Sequence, residues 1–265
     1  MKRILFTFSL LIVIIAFSIQ NSNAQTTTPT VYYTYSKPKW AISFGPAWVL
    51  ATNDAYGRAN YELQSEVLKN NYGMRWGWGA FLEGKYSPGQ KRNDRIFLGV
   101  DYKGMSNSDF EGSSSANQTS FDFVTIDAGY EYLFYGTYGF RSFYGAGFTG
   151  NFISGQYSPN PNDAADTLNY ARTFESSFRV GMEIKAGLEF VINSSKKNYG
   201  ISVSGKYNLT NLFNDNNTVA ASKNQPQSLN DGSETPGPGF KRYIGVFSLN
   251  VGFTIYPDVK KTIRK

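Results

Sequence analysis

Cysteine and histidine are both absent from the 265 residues, and each absence closes off a class of chemistry. Without cysteine there is no disulfide framework, no thiolate metal site, no cysteine nucleophile and no residue to acylate as a lipoprotein anchor. Without histidine the usual general base of serine hydrolysis and the commonest zinc ligand are missing. Charged residues are also scarce, at 17%. Beyond residue 24 no stretch stays apolar for the roughly 18 residues that a spanning helix needs, so helical membrane spans are excluded. The formal charge is +6, but Lys2 and Arg3 sit at one end and Lys260, Lys261, Arg264 and Lys265 at the other. The body is nearly neutral, and the basic folded face that nucleic-acid binding requires is not expected.

What the chain does hold is glycine and aromatic residues: 26 Gly, 19 Tyr and 21 Phe, a balance that favours sheets. Met1, Lys2 and Arg3 precede an apolar run over 4–19, and Ser22, Asn23 and Ala24 supply small residues ahead of a cleavage point. This is the layout of a secretory signal, with cleavage expected between Ala24 and Gln25. The expected organisation is a signal peptide over 1–24, an N-terminal periplasmic segment over 25–39, one barrel domain over 40–256, and a solvated basic periplasmic tail over 257–265.

The dominant pattern beyond the signal is alternation. Trp40, Ile42, Phe44 and Trp48 interleave with Ala41, Ser43, Gly45 and Ala47, which is the period of a strand. The same period predicts further strands at 74–86, 95–106, 120–134, 140–157, 173–192, 199–212 and 242–256, giving eight in all. The connections alternate in length. Long ones at 53–72, 107–118, 159–172 and 214–239 alternate with short turns such as Ser87-Pro88-Gly89-Gln90 and Tyr135-Gly136-Thr137-Tyr138-Gly139. Short turns at one end and long loops at the other predict an antiparallel up-and-down transmembrane β-barrel with periplasmic turns and extracellular loops. The longest loop, rich in Asn, Ser, Gly and Pro, reads as mobile.

Successive side chains of a strand point to opposite faces, so the phase of the charges is informative. On the sixth strand Phe174, Phe178, Val180, Met182, Ile184, Ala186, Leu188 and Phe190 share one phase, whereas Glu175, Arg179, Glu183, Lys185 and Glu189 share the other. Arg75, Glu83 and Lys85, then Arg95, Asp101 and Lys103, then Asp127 and Glu131, and finally Arg141 and Lys206, keep the charged phase elsewhere. Asp122 breaks it, near the predicted outer rim. The charged phase also carries Gly45, Gly77, Gly79, Gly99, Gly129, Gly145, Gly147, Gly181, Gly187 and Gly252, while the tryptophans and most bulky residues take the opposite one. Eight strands enclose a space only just wide enough for side chains, so the small and charged phase is placed inside and the bulky phase toward lipid. The interior signs nearly cancel, which predicts a cross-braced plug rather than an open pore. Trp40, Trp48, Trp76, Tyr86, Tyr135, Tyr138, Tyr199 and Tyr256, near strand ends, are expected in two interfacial girdles.

From Trp40 to Tyr256 the chain resembles the small outer-membrane β-barrel proteins, a group that includes the OmpA transmembrane domain, OmpX and the PorT-type barrels. The most specific element is the closing segment Phe247-Ser248-Leu249-Asn250-Val251-Gly252-Phe253-Thr254-Ile255-Tyr256, which looks like the aromatic-ended final strand that barrel-assembly machinery recognises. Nine residues follow it here, a departure from the usual terminal position. The resemblance implies an outer-membrane location in a Gram-negative bacterium, contact with the lipid bilayer and lipopolysaccharide, and an envelope or extracellular protein partner. It implies no cofactor, no metal and no nucleic acid. It also implies a non-enzymatic structural or interaction role, against which stand a narrow channel for ions or small polar solutes and a soluble periplasmic ligand-binding barrel.

Three motifs point elsewhere and are set aside. Gly145-Ala146-Gly147-Phe148-Thr149-Gly150 has the spacing of a dinucleotide fingerprint but no helix after it to receive a pyrophosphate. Asp163 with Asp166, and Asp215 with Asn216 and Asn217, lack the spacing of a calcium loop. Glu183 and Glu189 could in form serve as a glycosidase pair, but pairing with Lys185 and Arg179 is the expected use of their charge.

Overall fold

Residues with large outward side chains at every second position form eight long strands, because β-branched and aromatic residues suit a pleated chain packed on one side. The computed structural model describes residues 32–56, 72, 74–106, 118–135, 139–158, 172–192, 197–216, 229, 231–232, 241–259 and 261–264. The expected signal and its cleavage point at Ala24 and Gln25, together with Tyr138, Asp163 and Asp166, lie outside the described residues. The strands are β1 (Tyr32–Tyr35), β2 (Trp40–Asn53), β3 (Trp76–Tyr86), β4 (Asp94–Ser106), β5 (Gln118–Tyr135), β6 (Phe140–Ser158), β7 (Arg172–Val191), β8 (Tyr199–Phe213), β9 (Ile244–Ile255) and β10 (Lys261–Arg264).

Strands β2 to β9 make a closed barrel in sequence order, each antiparallel to its neighbours. The ring is closed by β2 against β9, from Ile42 opposite Ile255 to Asn53 opposite Ile244. Closure leaves no free edge, so every strand satisfies its backbone groups within the ring. By itself, β1 pairs with β10 in a two-stranded sheet, so the segments expected as N-terminal segment and solvated tail contain paired strands.

The predicted strand bounds shift by a few residues at most. Met74, expected in a strand, makes only an isolated parallel bridge to Tyr56, and β3 begins at Trp76. At the turn end, the Ser87 amide donates to the Lys39 carbonyl (2.8 Å) and the Tyr256 amide to the Asn198 carbonyl (2.8 Å). Asn53 closes β2 and Asn214 follows β8, with φ of 54° and 66°. Asparagine tolerates that left-handed conformation better than most residues.

The core lies inside the ring. At the long-loop end it is apolar, built from Val49, Met105, Phe121, Phe123, Ile153, Ile244 and Val246 on the strands, with Ala55, Tyr72, Met74 and Leu229 contributed by the loops. Burial holds the Tyr72 hydroxyl well above its ordinary pKa, against the lowering influence of Arg242, so the ring sits there neutral. Toward the turn end the interior becomes ionic.

Most bulky side chains point outward, but the interior takes some of them as well. Phe81, Phe97 and Phe143 are buried inside the ring, and each lies over a glycine of a neighbouring or facing strand. A Cβ built on Gly129 or Gly147 would come within 2.6 or 2.9 Å of the Phe97 ring, one on Gly187 within 2.6 Å of Phe143, and one on Gly252 within 2.5 Å of Phe81. The glycines therefore make seats for inward rings, and the lumen is filled by that pairing as well as by charge.

Candidate functional site

Two surfaces carry the functional information, the outside of the ring and its inside. Outside, Trp40, Ile42, Phe44, Trp48, Trp78, Leu82, Ile96, Leu98, Val100, Tyr102 and their counterparts on β5 to β9 are exposed. Leu98 is 63% exposed and Phe148 62%, values that a soluble core-forming residue does not show. Monomeric soluble proteins rarely expose contiguous apolar area beyond a few hundred Å².

This band has edges. On β4 and β5 the outward phase runs without a charge from Asp94 to Asp122, and each of these carboxylates is capped by a tyrosine of the neighbouring strand. Tyr130 donates its hydroxyl to Asp94, and Tyr102 donates to Asp122 Oδ1 at 2.6 Å. Asp122 faces Gly104, which lies ten positions along β4 from Asp94. At about 3.3 Å per residue and a tilt near 40°, that is a height of about 25 Å, the thickness of the apolar band on membrane barrels. Asp122 thus sits outside, as its phase indicates.

Inside, most ion pairs join different strands, and only Lys85–Glu83 and Lys103–Asp101 among the described residues run along one strand. Arg95 on β4 donates from Nη1 to Glu189 Oε1 (2.6 Å) and from Nη2 to Glu189 Oε2 (3.2 Å) on β7, and from Nη1 to Glu131 Oε1 (3.1 Å) on β5. Tyr256, buried, donates to Glu189 Oε2 at 3.0 Å. Lys85 on β3 lies 3.1 Å from Glu83, 3.2 Å from Glu131 and 3.5 Å from Glu189, and Lys185 donates to Glu83 at 2.6 Å. Both lysines also sit over aromatic rings, Lys185 3.2 Å from the Phe97 centroid and Lys85 4.2 Å from that of Phe143. Each ammonium therefore meets carboxylate on one side and an inward ring on another.

A second ionic tier centres on Lys206 of β8, whose Nζ lies 2.6 Å from Asp127, 3.1 Å from Asp101 and 3.4 Å from Glu183; Lys103 donates to Asp101 at 3.0 Å. Above it stands a tier of neutral polar groups. Thr125 donates to Asn151 Oδ1 (2.9 Å), Asn208 Nδ2 to the same oxygen (2.9 Å), Thr149 to Asn208 Oδ1 (3.0 Å), and Asn151 Nδ2 to the Thr210 carbonyl (2.8 Å). At the long-loop end, Arg179 grips Asp231 with Nε and Nη2 (2.8 and 2.9 Å), and Asn211 Nδ2 adds a third donor at 2.9 Å. Bidentate pairs of this kind are the strong and geometrically specific ones.

Of the fifteen charged residues placed inside by phase, the structure buries Glu83, Lys85, Arg95, Asp101, Lys103, Asp127, Glu131, Arg141, Arg179, Glu183, Lys185, Glu189 and Lys206. Arg75 and Glu175 are corrections. Arg75 precedes β3, outside the ladder that would fix its phase, and donates to the Tyr56 hydroxyl at 2.5 Å. Glu175 sits at a bulge, where Ile153 and Gly155 on β6 face Ser177 and Phe174 on β7. The extra residue reverses the phase, turning Phe174 inward and Glu175 out. Pairing of Glu183 and Glu189 with Lys185 and Arg179 is also corrected, since Glu183 approaches Lys206, Glu189 is held by Arg95, and Arg179 takes the loop residue Asp231. Tyr256, expected in a girdle, points inward. The fingerprint-like glycines fall within β6 and precede no helix.

Asp231 and Arg242 are additions, both buried, and they restore the near balance that Arg75 and Glu175 leave, with eight buried cations and seven buried carboxylates among the described residues. Asn151, Asn208, Thr125 and Thr149 share the charged phase of their strands, so the same periodicity marks them. Asp231 has no such signal, because it lies in a loop without alternation.

No family model matches the chain, and no curated protein matches it. Among solved structures it is similar to neisserial surface protein A, at 14% identity over 84% of this chain and 99% of that one, with a TM-score of 0.47. It is also similar to the outer membrane protein OprG from Pseudomonas aeruginosa (10% identity, 86% and 97% coverage, TM-score 0.44). A third likeness is to Ail, the attachment invasion locus protein of Yersinia pestis (15% identity, 83% and 99% coverage, TM-score 0.40).

Proposed function

We propose that the chain is an integral outer-membrane barrel without enzymatic activity, acting as a structural or interaction element through its long loops or an envelope partner. The observation that carries this is the uncharged outward band about 25 Å high between Asp94 and Asp122, wrapped around an interior of buried ions. In water that arrangement would expose apolar surface and desolvate charge at once, two costs with no return; in a bilayer the first becomes a gain. The exterior would meet acyl chains and, on the loop side, lipopolysaccharide. The closing strand β9 and the Tyr256 that follows it offer the segment from Phe247 to Tyr256 to barrel-assembly machinery. A conducting lumen is the less favoured reading, because the apolar cap and the Arg179–Asp231 clasp fill the loop end while the cross-lumen pairs fill the rest.

The test is extraction of membranes with concentrated urea, followed by electrophoresis with and without boiling. Retention in the membrane with a heat-dependent shift in mobility is expected, and release into the urea supernatant would remove the proposal. In planar bilayers the purified protein is expected to give no discrete current steps, and steady single-channel conductance would favour the channel reading.

A further inference from the structure

At the turn end of the barrel a cavity of about 190 Å³ is lined by Lys37, Arg141 and Lys197 together with Phe140, Val191 and Val259. Among the described residues three cations line it and no carboxylate does, and its volume suits one small group better than a whole ligand of drug size. Tyr135 forms part of the wall, with the Lys37 ammonium 4.0 Å from the centre of its ring.

Arg141 is the informative member. Only 8% of it is exposed, yet its Nη1 has no hydrogen-bond partner among the described residues. Its closest ionic neighbour, Glu189 Oε2, is 3.7 Å from Nη1, beyond hydrogen-bond reach, and that carboxylate is already taken by Arg95 and Tyr256. What holds the guanidinium is stacking, 4.7 Å from the Tyr256 ring centre and 5.4 Å from that of Tyr135. A buried guanidinium nitrogen left without an acceptor is uncommon, since buried polar groups are almost always satisfied. Two other buried arginines show the contrast, because Arg95 and Arg179 each make bidentate contacts to a carboxylate.

We infer that this cavity is a binding site for a small oxyanion, a phosphate or phosphate monoester, with the Arg141 fork as its principal donor and the Lys37 and Lys197 ammonium groups closing over it. Planar guanidinium matches two oxygens of such a group at once. The apolar wall of Phe140, Val191 and Val259 accepts whatever the phosphate is attached to. The phosphate has two sources, a soluble anion or the headgroup of a lipid, since Phe140 also belongs to the outward face of the ring.

The experiment titrates inorganic phosphate into the detergent-solubilised full mature chain by calorimetry, and separately measures by native mass spectrometry how much phosphatidic acid the protein retains from nanodiscs of phosphatidylcholine doped with it. Saturable binding in either arm is expected, weakened about tenfold or more by Arg141→Gln and severalfold by Lys37→Gln, with Lys241→Gln at the opposite end unchanged. Binding in the first arm assigns a soluble anion, and retention in the second alone assigns a lipid headgroup. Lys37 is exposed, so its variant reads the site even where Arg141→Gln fails to fold. No binding in both arms, or binding indifferent to both substitutions, overturns the inference. The phosphate arm stands apart from the membrane reading, because it needs only the folded barrel.

Discussion

Replacing Arg95 by methionine removes three hydrogen bonds at once, two to Glu189 and one to Glu131, from the centre of the ionic interior. Breaking one side of a buried pair typically costs about 3–5 kcal/mol, because the remaining charge stays buried without its partner. Lys85 at 3.5 Å and Arg141 at 3.7 Å still face Glu189, so the lower end of that range, about 3 kcal/mol, is expected. With a slope near 2 kcal/mol per molar urea, the unfolding midpoint falls by about 1.5 M. The assay is equilibrium unfolding in urea and detergent, read as the fraction running at the unboiled position on a gel. The double variant Arg95→Met with Glu189→Leu removes one charge of each sign, but it also takes the carboxylate neighbour of Arg141 and the acceptor of the Tyr256 hydroxyl, so it is expected to recover only part of that loss. A single variant that moves the midpoint by less than about 0.3 M, or a double variant worse than either single one, would refute the view that the cross-lumen pairs are mutually compensating buried charges.

Leu98→Lys, in the middle of the outward band, is expected to cost about 2–4 kcal/mol of insertion free energy, measured as a shift in the urea midpoint of refolding into liposomes. Gly129→Ala should cost about 1–3 kcal/mol by pressing on the Ala146 carbonyl and the Phe97 ring, whereas Gly84→Ala, whose added methyl meets nothing closer than 3.9 Å, should be neutral or slightly stabilising in the same assay. Tyr256→Phe loses the hydroxyl bond to Glu189, about 1.5–3 kcal/mol for a charged acceptor. Burial and then the Glu189 carboxylate raise the pKa of that hydroxyl far above its ordinary value. Its contribution is therefore complete below about pH 10, the unfolded value, and fades as pH rises beyond it, so the difference in midpoint between parent and Tyr256→Phe should be flat to about pH 10 and then narrow.

Most of the barrel is legible in the sequence because a strand's period of two ties the facing of every residue to that of its neighbours. From Phe190 back to Phe178 the phase on β7 holds without a break, and the charges follow it. The rule fails where the ladder itself is irregular. The bulge before Ser177 depends on how β6 and β7 meet, and nothing in the run Phe174-Glu175-Ser176-Ser177 announces it. Inward phenylalanines are equally hidden, since Phe97 is a bulky residue in the charged phase whose fit depends on Gly129 on the next strand and Gly147 two strands away. Asp231 was hidden for a third reason: its loop has no period, and its burial arises only because Arg179 and Asn211 reach it from the strands. The oxyanion cavity combines ends of several elements that are far apart in the chain, and the phase of Arg141 shows only that it points inward.

The absence of cysteine makes a single-cysteine scan along β4 clean, and that scan is the most direct trial of the facing assignment. Nitroxide labels placed one at a time from Ile96 to Met105 in liposome-embedded protein, with collision rates to oxygen and to a water-soluble nickel chelate, should show a period of two. Oxygen contact should peak at residues 96, 98, 100 and 102, with neither reagent prominent at 97, 99, 101 and 103. Oxygen contact peaking instead at 101 and 103, or the nickel chelate peaking at 98 and 100, would contradict it.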